Sequence, residues 1–419
     1  MPSEEIVPHP NNTFGIFQLS WMTWLPDDLD LFFSRFDPRL TGSRPVMLPI
    51  NGGYQQSNYT GFIYNAEPAL DFEYAMALTH PLPVTNIQVG DRFTSGTLGN
   101  MLAALDASFC PLLDPAHDHF YPDPSGTHSG LGYNQSTDCG TAVPPTVISI
   151  SYVWPEASFP PGHLTHQCLE FLKLSLQGVT IVAATGDWGV ADQTSHCVDP
   201  STAVAGALTG DFSPHFPASC PYVTAVGGTS LAPPPSLWDP ASPSFPPQQA
   251  YRTGSPEEER GESTSGGGFS RVFAMPEYQQ PSVERYLADE ANHTAPFHSR
   301  FNPRGRGYPD LSLLAHNYLV VYDGQLYAID GTSASTPVFA AMVARVNNER
   351  LTQGKGTLGF LNPVLYAKKD DIFEDVRQGS NKGCGVEEAF RATEGWDAVT
   401  GLGAVRDFET LKAVLEGLP

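Results

Sequence analysis

The segment Asp330-Gly331-Thr332-Ser333-Ala334-Ser335-Thr336-Pro337 follows two strand-like apolar runs, 318–321 and 326–329, and leads into a helix-like run at 338–351. A hydroxyl at such a junction lies near backbone N–H groups and the positive end of a helix dipole, which suits a nucleophile. Pro337 is expected in the first helical turn, where its missing N–H costs nothing. Serine also caps helices for purely structural reasons, so Ser333 gains meaning only from two carboxylate motifs upstream. In Glu67-Pro68-Ala69-Leu70-Asp71 the acids stand four apart and would stack on one helix face. Like charges repel at that spacing, which suggests chemistry, although acids are also favoured in a first helical turn by the macrodipole. In Ala183-Ala184-Thr185-Gly186-Asp187-Trp188-Gly189 a carboxylate follows the apolar run 179–182. Open α/β sheets build sites just beyond such strands, though Asp beside Gly is also ordinary turn chemistry.

Together, Glu67, Asp71, Asp187 and Ser333 resemble the sedolisin family of serine-carboxyl peptidases. The resemblance runs from about Phe14 to Leu411 and includes Phe216-Pro217-Ala218-Ser219-Cys220-Pro221-Tyr222, Ser265-Gly266-Gly267-Gly268-Phe269-Ser270 and Gly395-Trp396-Asp397-Ala398-Val399-Thr400-Gly401. Details are similar to fungal, tripeptidyl-peptidase-like members. The resemblance implies an α/β, subtilisin-like fold: a doubly wound, mainly parallel sheet with helices on both faces. It also implies an acyl-enzyme on Ser333, Glu67 as general base, Asp71 supporting Glu67, and Asp187 in the oxyanion hole.

The choice of carboxylates has a physical consequence. An imidazole with a pKa near ~6.5 is protonated in acid, whereas a carboxylate near ~4.3 can still accept a proton there. Asp187 has the opposite need: it donates to a developing oxyanion only while protonated. Acid conditions serve both. The run Ser265-Gly266-Gly267-Gly268 lacks the Gly-Lys-Ser/Thr ending of a phosphate loop. It reads either as a flexible turn or as backbone lining the substrate cleft. The segment from Pro144 to Tyr152 resembles the family's substrate-pairing strand. Val153 follows where the family commonly has Gly, so a side chain there is expected to narrow the primary specificity pocket. Tripeptidyl-peptidase and endopeptidase action both remain open at this level. So does a calcium-stabilised binding protein that kept the fold without the catalysis.

The resemblance also implies one calcium ion. Asp375 and Asp397 would supply charge, and the carbonyls of Val376, Thr393 and Gly395 would supply neutral oxygens. Calcium takes about six to eight oxygens, so at least one water would complete the shell. The twelve histidines form no His-Glu-x-x-His spacing, which argues against catalytic zinc.

Elements of alternating type must position these groups. Strands are expected at 14–19, 84–89, 146–151, 179–184, 222–226 and 318–322, and helices at 26–36, 68–78, 98–109, 163–177, 337–351 and 407–415. Residues 1–13 read as an amino-terminal extension and 14–419 as one peptidase domain. Within it, 233–249 reads as a Pro-rich surface insertion and 375–397 as the calcium-binding region. Glu257-Glu258-Glu259 reads as a solvated loop. No basic n-region or apolar h-region is visible before Phe14, so a signal peptide is expected to be absent, as is the prodomain with which the resembled family is made, as in a trimmed or shortened chain.

Acidic residues outnumber basic ones 45 to 22, for a formal charge of −23. That balance repels nucleic acid and anionic membranes, so neither is an expected partner, and it suits a soluble protein. The resemblance implies peptide or unfolded-protein substrates, and a monomer is expected. No run approaches the roughly 18 apolar residues needed to span a bilayer. Six cysteines permit three bridges; Cys110 and Cys139 flank a polar loop and form the favoured pair, with the other four open. Sequons at Asn11, Asn58, Asn134 and Asn292 add to the expectation of a secreted, extracellular protein.

Overall fold

In the computed structural model, residues 7–125, 131–232, 247–253 and 263–419 are described. Its apolar runs become the strands β1 (Phe14–Leu19), β2 (Val46–Ile50), β3 (Val84–Val89), β4 (Val147–Ile150), β5 (Thr180–Ala184) and β6 (Thr224–Leu231). Further along follow β7 (Gln248–Ala250), β8 (Leu311–Leu314), β9 (Tyr318–Tyr322), β10 (Gln325–Ile329), β11 (Phe373–Glu374) and β12 (Ala404–Val405). One ten-stranded sheet has the order β11-β12-β8-β6-β5-β4-β1-β3-β2, with β7 pairing β6. Every pairing is parallel except β7 with β6 and β11 with β12.

Helices cover both faces: α1 (Pro26–Phe36), α2 (Glu67–Thr79), α3 (Leu98–Leu105), α4 (Pro161–Leu176), α5 (Gln280–Asp289), α6 (Thr332–Thr352) and α7 (Phe408–Glu416). Successive side chains of a strand point to opposite faces. Phe14, Ile16, Val147 and Val182 accordingly join α1, α2, α6 and α7 in one core. Phe17, Ile148, Ile181 and Ala183 join α3 and α4 in the other. This is the doubly wound α/β architecture expected. Strand order reverses at the β1–β4 neighbours, and the crevice beyond their carboxyl ends is where such sheets place ligands.

Several expectations need correction. The nucleophile helix starts at Thr332, not Pro337, so Pro337 lies inside it. The lost i→i−4 bond would have reached the Ser333 carbonyl. Tertiary contact outweighs that cost: the first turn is buried, Thr332 N–H donates to Asp187 and Ser335 Oγ donates to Gly227 O. The run at 318–322 does not enter the sheet. It pairs with β10 as a separate antiparallel hairpin, while the short β8 takes the sheet position beside β6. Of the Pro-rich tract 233–249, residues 233–246 lie outside the described residues, as does Glu257-Glu258-Glu259; Gln248 and Gln249 belong to β7. All six cysteines are paired, Cys110–Cys139 as expected, then Cys168–Cys220 and Cys197–Cys384. No described helix is long and apolar enough to cross a membrane.

Candidate active site

Helices α2 and α6 pack directly on each other, and each presents its first turn to the crevice. A π-helical turn, Phe62–Ala66, widens the chain just before Glu67. Glu67 and Asp71 then share one face of α2, with Asp71 fully buried behind Glu67. Ser333 is 8% exposed, and its Oγ donates to the Ser151 carbonyl at 3.3 Å. Asp187 stands beyond the carboxyl end of β5 after Gly186, whose φ of 91° is a glycine conformation. Glu67, Asp187 and Ser333 line one cleft of about 600 Å³, with Leu70, Tyr152 and Trp188 among its walls. The four residues grouped from the sequence therefore meet around a single crevice, from three different elements.

A hydrogen-bonded chain holds Asp71. Gln18 Nε2 donates to its Oδ2 at 2.7 Å and Ser151 Oγ donates to its Oδ1 at 2.8 Å. The Tyr152 hydroxyl donates to Gln18 Oε1 at 2.6 Å, which fixes the end of the amide that faces Asp71. Glu67 Oε1 is shut off from solvent without a hydrogen-bond partner. Burial raises Glu67 above the usual carboxylate range, against the Ser333 and Ser151 hydroxyls beside it. Burial also raises Asp71, and the neighbouring Glu67 charge raises it further. Two carboxyls so placed titrate as a pair and keep one proton well above the pH at which an exposed acid loses it.

Asp187 is pushed up to about 6, first by burial and in small part by the charge of Asp330. Two donors oppose that shift: Thr332 N–H at 2.7 Å and Thr332 Oγ1 at 3.1 Å, both on Asp187 Oδ1. Thr332 Oγ1 in turn accepts from Gly186 N–H at 3.0 Å, so one threonine ties the Asp187 turn to α6. Gly331 has φ of 146°, and a Cβ there would come within 2.8 Å of Asp187 Oδ2. Glycine thus leaves Oδ2 room beside the nucleophile's turn, as the oxygen able to carry a proton.

The sequence reading missed Gln18, Ser151, Tyr152 and Thr332. The available signal for Gln18 was a lone polar residue in the apolar run Phe14–Leu19. Ser265 to Gly268 proves to be neither a flexible turn nor a cleft wall. It is buried, Gly266 N–H donates to Gly186 O at 2.7 Å, and a Cβ on Gly266 or Gly267 would collide with the Thr185 or Ala398 carbonyl. These glycines let the backbone press against the Asp187 turn. Val153 does line the cleft, and Phe62 and Ile63 stand exposed at its lip.

At the other candidate site, Asp375 Oδ2 accepts from Gly395 N–H at 3.0 Å and from Arg377 Nε at 2.7 Å. Its Oδ1 is buried with no partner. Asp397 is fully buried and accepts N–H bonds from Thr393, Val399 and Thr400. The two carboxylates are thereby held by one short loop, and the orphaned Asp375 Oδ1 is an acceptor that suits a hard cation. Among the described residues no cluster of three or more His, Cys, Asp or Glu could hold a metal, so carbonyls would have to supply most ligands.

No protein-family model matches the chain. It is 44% identical over 404 residues to tripeptidyl-peptidase SED1 of Arthroderma otae, covering 94% of this chain and 59% of that protein. It is 37% identical over 440 residues to aorsin of Aspergillus oryzae, covering 99% and 64%. The chain thus spans less than two thirds of the length of these relatives. Its fold is similar to that of Pseudomonas sedolisin, a serine-carboxyl proteinase solved with two molecules of pseudo-iodotyrostatin. The TM-score is 0.66 at 22% identity, over 98% of this chain and 94% of the other. With a subtilisin-like sheet, the ordered motifs and relatives of this kind, the chain belongs to the sedolisin family.

Proposed function

We propose that residues 14–419 form the catalytic domain of an acid-active serine-carboxyl peptidase that cleaves peptide bonds through an acyl-enzyme on Ser333. The observation that carries this reading is the convergence of Ser333, Glu67 and Asp187 on one cleft from α6, α2 and the end of β5. Ser333 Oγ turns from the Ser151 carbonyl, attacks the substrate carbonyl carbon and gives its proton to Glu67. Only the singly ionised Glu67–Asp71 pair can take that proton, and the Gln18 and Ser151 donors on Asp71 favour this charged form against burial. Protonated Asp187 donates from Oδ2 to the oxyanion while Thr332 holds Oδ1. As the tetrahedral adduct collapses, the C–N bond breaks and the leaving amine takes the proton from Glu67. Water then attacks the ester, losing its proton to Glu67, and that proton returns to Ser333 Oγ. The meeting of Glu67, Asp187 and Ser333 at one cleft, with Asp71 buried behind Glu67, supports catalysis over a fold retained without it.

Asp375, Asp397 and the carbonyls of Val376, Thr393 and Gly395 would hold a calcium ion, which would supply charge to a loop with buried carboxylates. Peptides or unfolded proteins are the partners, and the chain acts as a monomer without membrane or nucleic acid. Three disulfides and four exposed sequon asparagines support an extracellular setting. Ser333→Ala should abolish turnover and leave folding intact, since it removes one hydroxyl. Wild-type activity in that variant would sink the assignment. Products from a long, amino-terminally blocked peptide would separate endopeptidase action from tripeptide release.

A further inference from the structure

Three carboxylates line the cleft, Glu67, Asp187 and Asp330, and no Lys, Arg or His is among its described lining residues. The proposed reaction uses the first two and leaves Asp330 without a task. Asp330 sits between β10 and the Gly331 that precedes α6. Its Oδ1 accepts from His316 Nδ1 at 2.8 Å and from Asn317 N–H at 2.6 Å. Those two donors fix the side chain, which is 30% exposed, and no described donor takes Oδ2. A carboxylate held this way is pre-set to receive one more donor at its second oxygen.

We propose that Asp330 is a specificity-determining residue whose Oδ2 receives a cationic nitrogen of the peptide substrate; this rests on the peptidase reading of the same cleft. The chain limits where that nitrogen lies. Asp330 is three residues before Ser333, so their Cα atoms are at most about 11 Å apart, the span of about three extended substrate residues. The cation therefore belongs to a residue close to the scissile bond. Two sources share this chemistry: a Lys or Arg side chain, or the α-ammonium of a substrate whose amino terminus falls within reach. The second would make Asp330 the carboxylate that an aminopeptidase-type action requires. An acidic substrate side chain at the same place would meet like charge, which discriminates against it.

The test is kcat/KM for wild type, Asp330→Asn and Asp330→Glu on matched peptides. Lys, Gln or Glu is placed in turn at each of the three positions on either side of the bond, with free and acetylated amino termini. Asp330→Asn keeps an acceptor for His316 and Asn317 and removes only the charge. It should lower the preference for the cationic substrate about fivefold, the size expected of a partly exposed ion pair. Asp330→Glu should retain most of the preference, and high salt should weaken it in wild type. A preference that follows the position of Lys identifies the side chain as the source; one lost on acetylation identifies the terminal ammonium. If Asp330→Asn leaves both ratios unchanged, or lowers every substrate alike, the inference is overturned. The same peptides titrated onto Ser333→Ala protein separate this from the peptidase reading. Charge-selective binding that requires Asp330, in a chain whose wild type cleaves nothing, would retain the inference and reject the reaction. Ser333-dependent cleavage without charge preference would do the reverse.

Discussion

Replacing Asp187 by Asn keeps a donor at the oxyanion while removing the proton that Asp187 can lose. Asn has nearly the shape of Asp, its Oδ1 can still accept from Thr332, and its amide is a donor at any pH. In the wild type, burial places Asp187 at about 6. The protonated, donating fraction therefore falls about tenfold for each pH unit above that value. The Glu67–Asp71 pair titrates in both proteins, so most of its contribution drops out when kcat/KM of wild type is divided by that of Asp187→Asn; the part that stays is the lift that the ionised Asp187 gives Glu67, which Asn lacks. The ratio should be flat in acid, bend near pH ~6, and then fall with a slope approaching −1. If altered geometry costs the Asn enzyme about tenfold in acid, roughly 1.4 kcal/mol, the two proteins should be equally active near pH ~7. Asp187→Ala, with no donor at all, should be lower than wild type by about 10²–10³ in acid. The assay is kcat/KM from pH ~3 to ~8, with folding checked by circular dichroism at each point. A ratio independent of pH would mean that Asp187 does not lose its proton in this range, and the proposed alkaline limb would belong to another group.

Glu67→Gln should be nearly as damaging as Ser333→Ala, because an amide cannot take the serine proton; a normal acylation burst in that variant would exclude Glu67 as the base. Tyr152→Phe should free the Gln18 amide to turn its carbonyl toward Asp71, removing a donor that favours the charged pair. A loss of up to about tenfold in kcat/KM should follow, with the acid limb moved to higher pH; a profile that drops without shifting would make Tyr152 a packing residue only. Chelation should lower the melting temperature, since a ligand at a hundredfold excess over its Kd stabilises the native state by about 2.7 kcal/mol. Asp397→Ala should melt early as well and respond little to chelator; an unchanged melting temperature under strong chelation would remove calcium from the account.

The sequence spoke most clearly where local pattern and tertiary role agree. The bounds of β1, β3 and α1 are those expected from apolar runs and turn residues, because their burial follows the period of the element itself. Glu67, Asp71, Asp187 and Ser333 could be grouped because each stands at an element's end, where motif and position are visible together. The clamp on Asp71 could not be read this way. Gln18 and Tyr152 are separated by 134 positions, and only the pairing of β1 with β4 brings them together. The early start of α6 was hidden for a related reason: a bond from Thr332 to a residue 145 positions away overrides a local proline signal. The free edge of Asp330 is likewise set by His316 and Asn317 across a hairpin, not by its neighbours in the motif.

The Cys197–Cys384 bridge, which closes 187 positions of chain, has a consequence for the proposed peptidase when it meets copies of itself. By loop entropy alone such a long closure disfavours the unfolded chain by about 5 kcal/mol. A second effect is covalent bookkeeping of damage. Any single backbone cut between the two cysteines, including one in the Pro-rich tract, leaves the nucleophile segment attached to the half that carries Glu67 and Asp187. Self-inflicted nicks would then appear as fragments only after reduction, while the nicked molecule keeps all its catalytic parts on one covalent body and ages in activity more slowly than in sequence integrity.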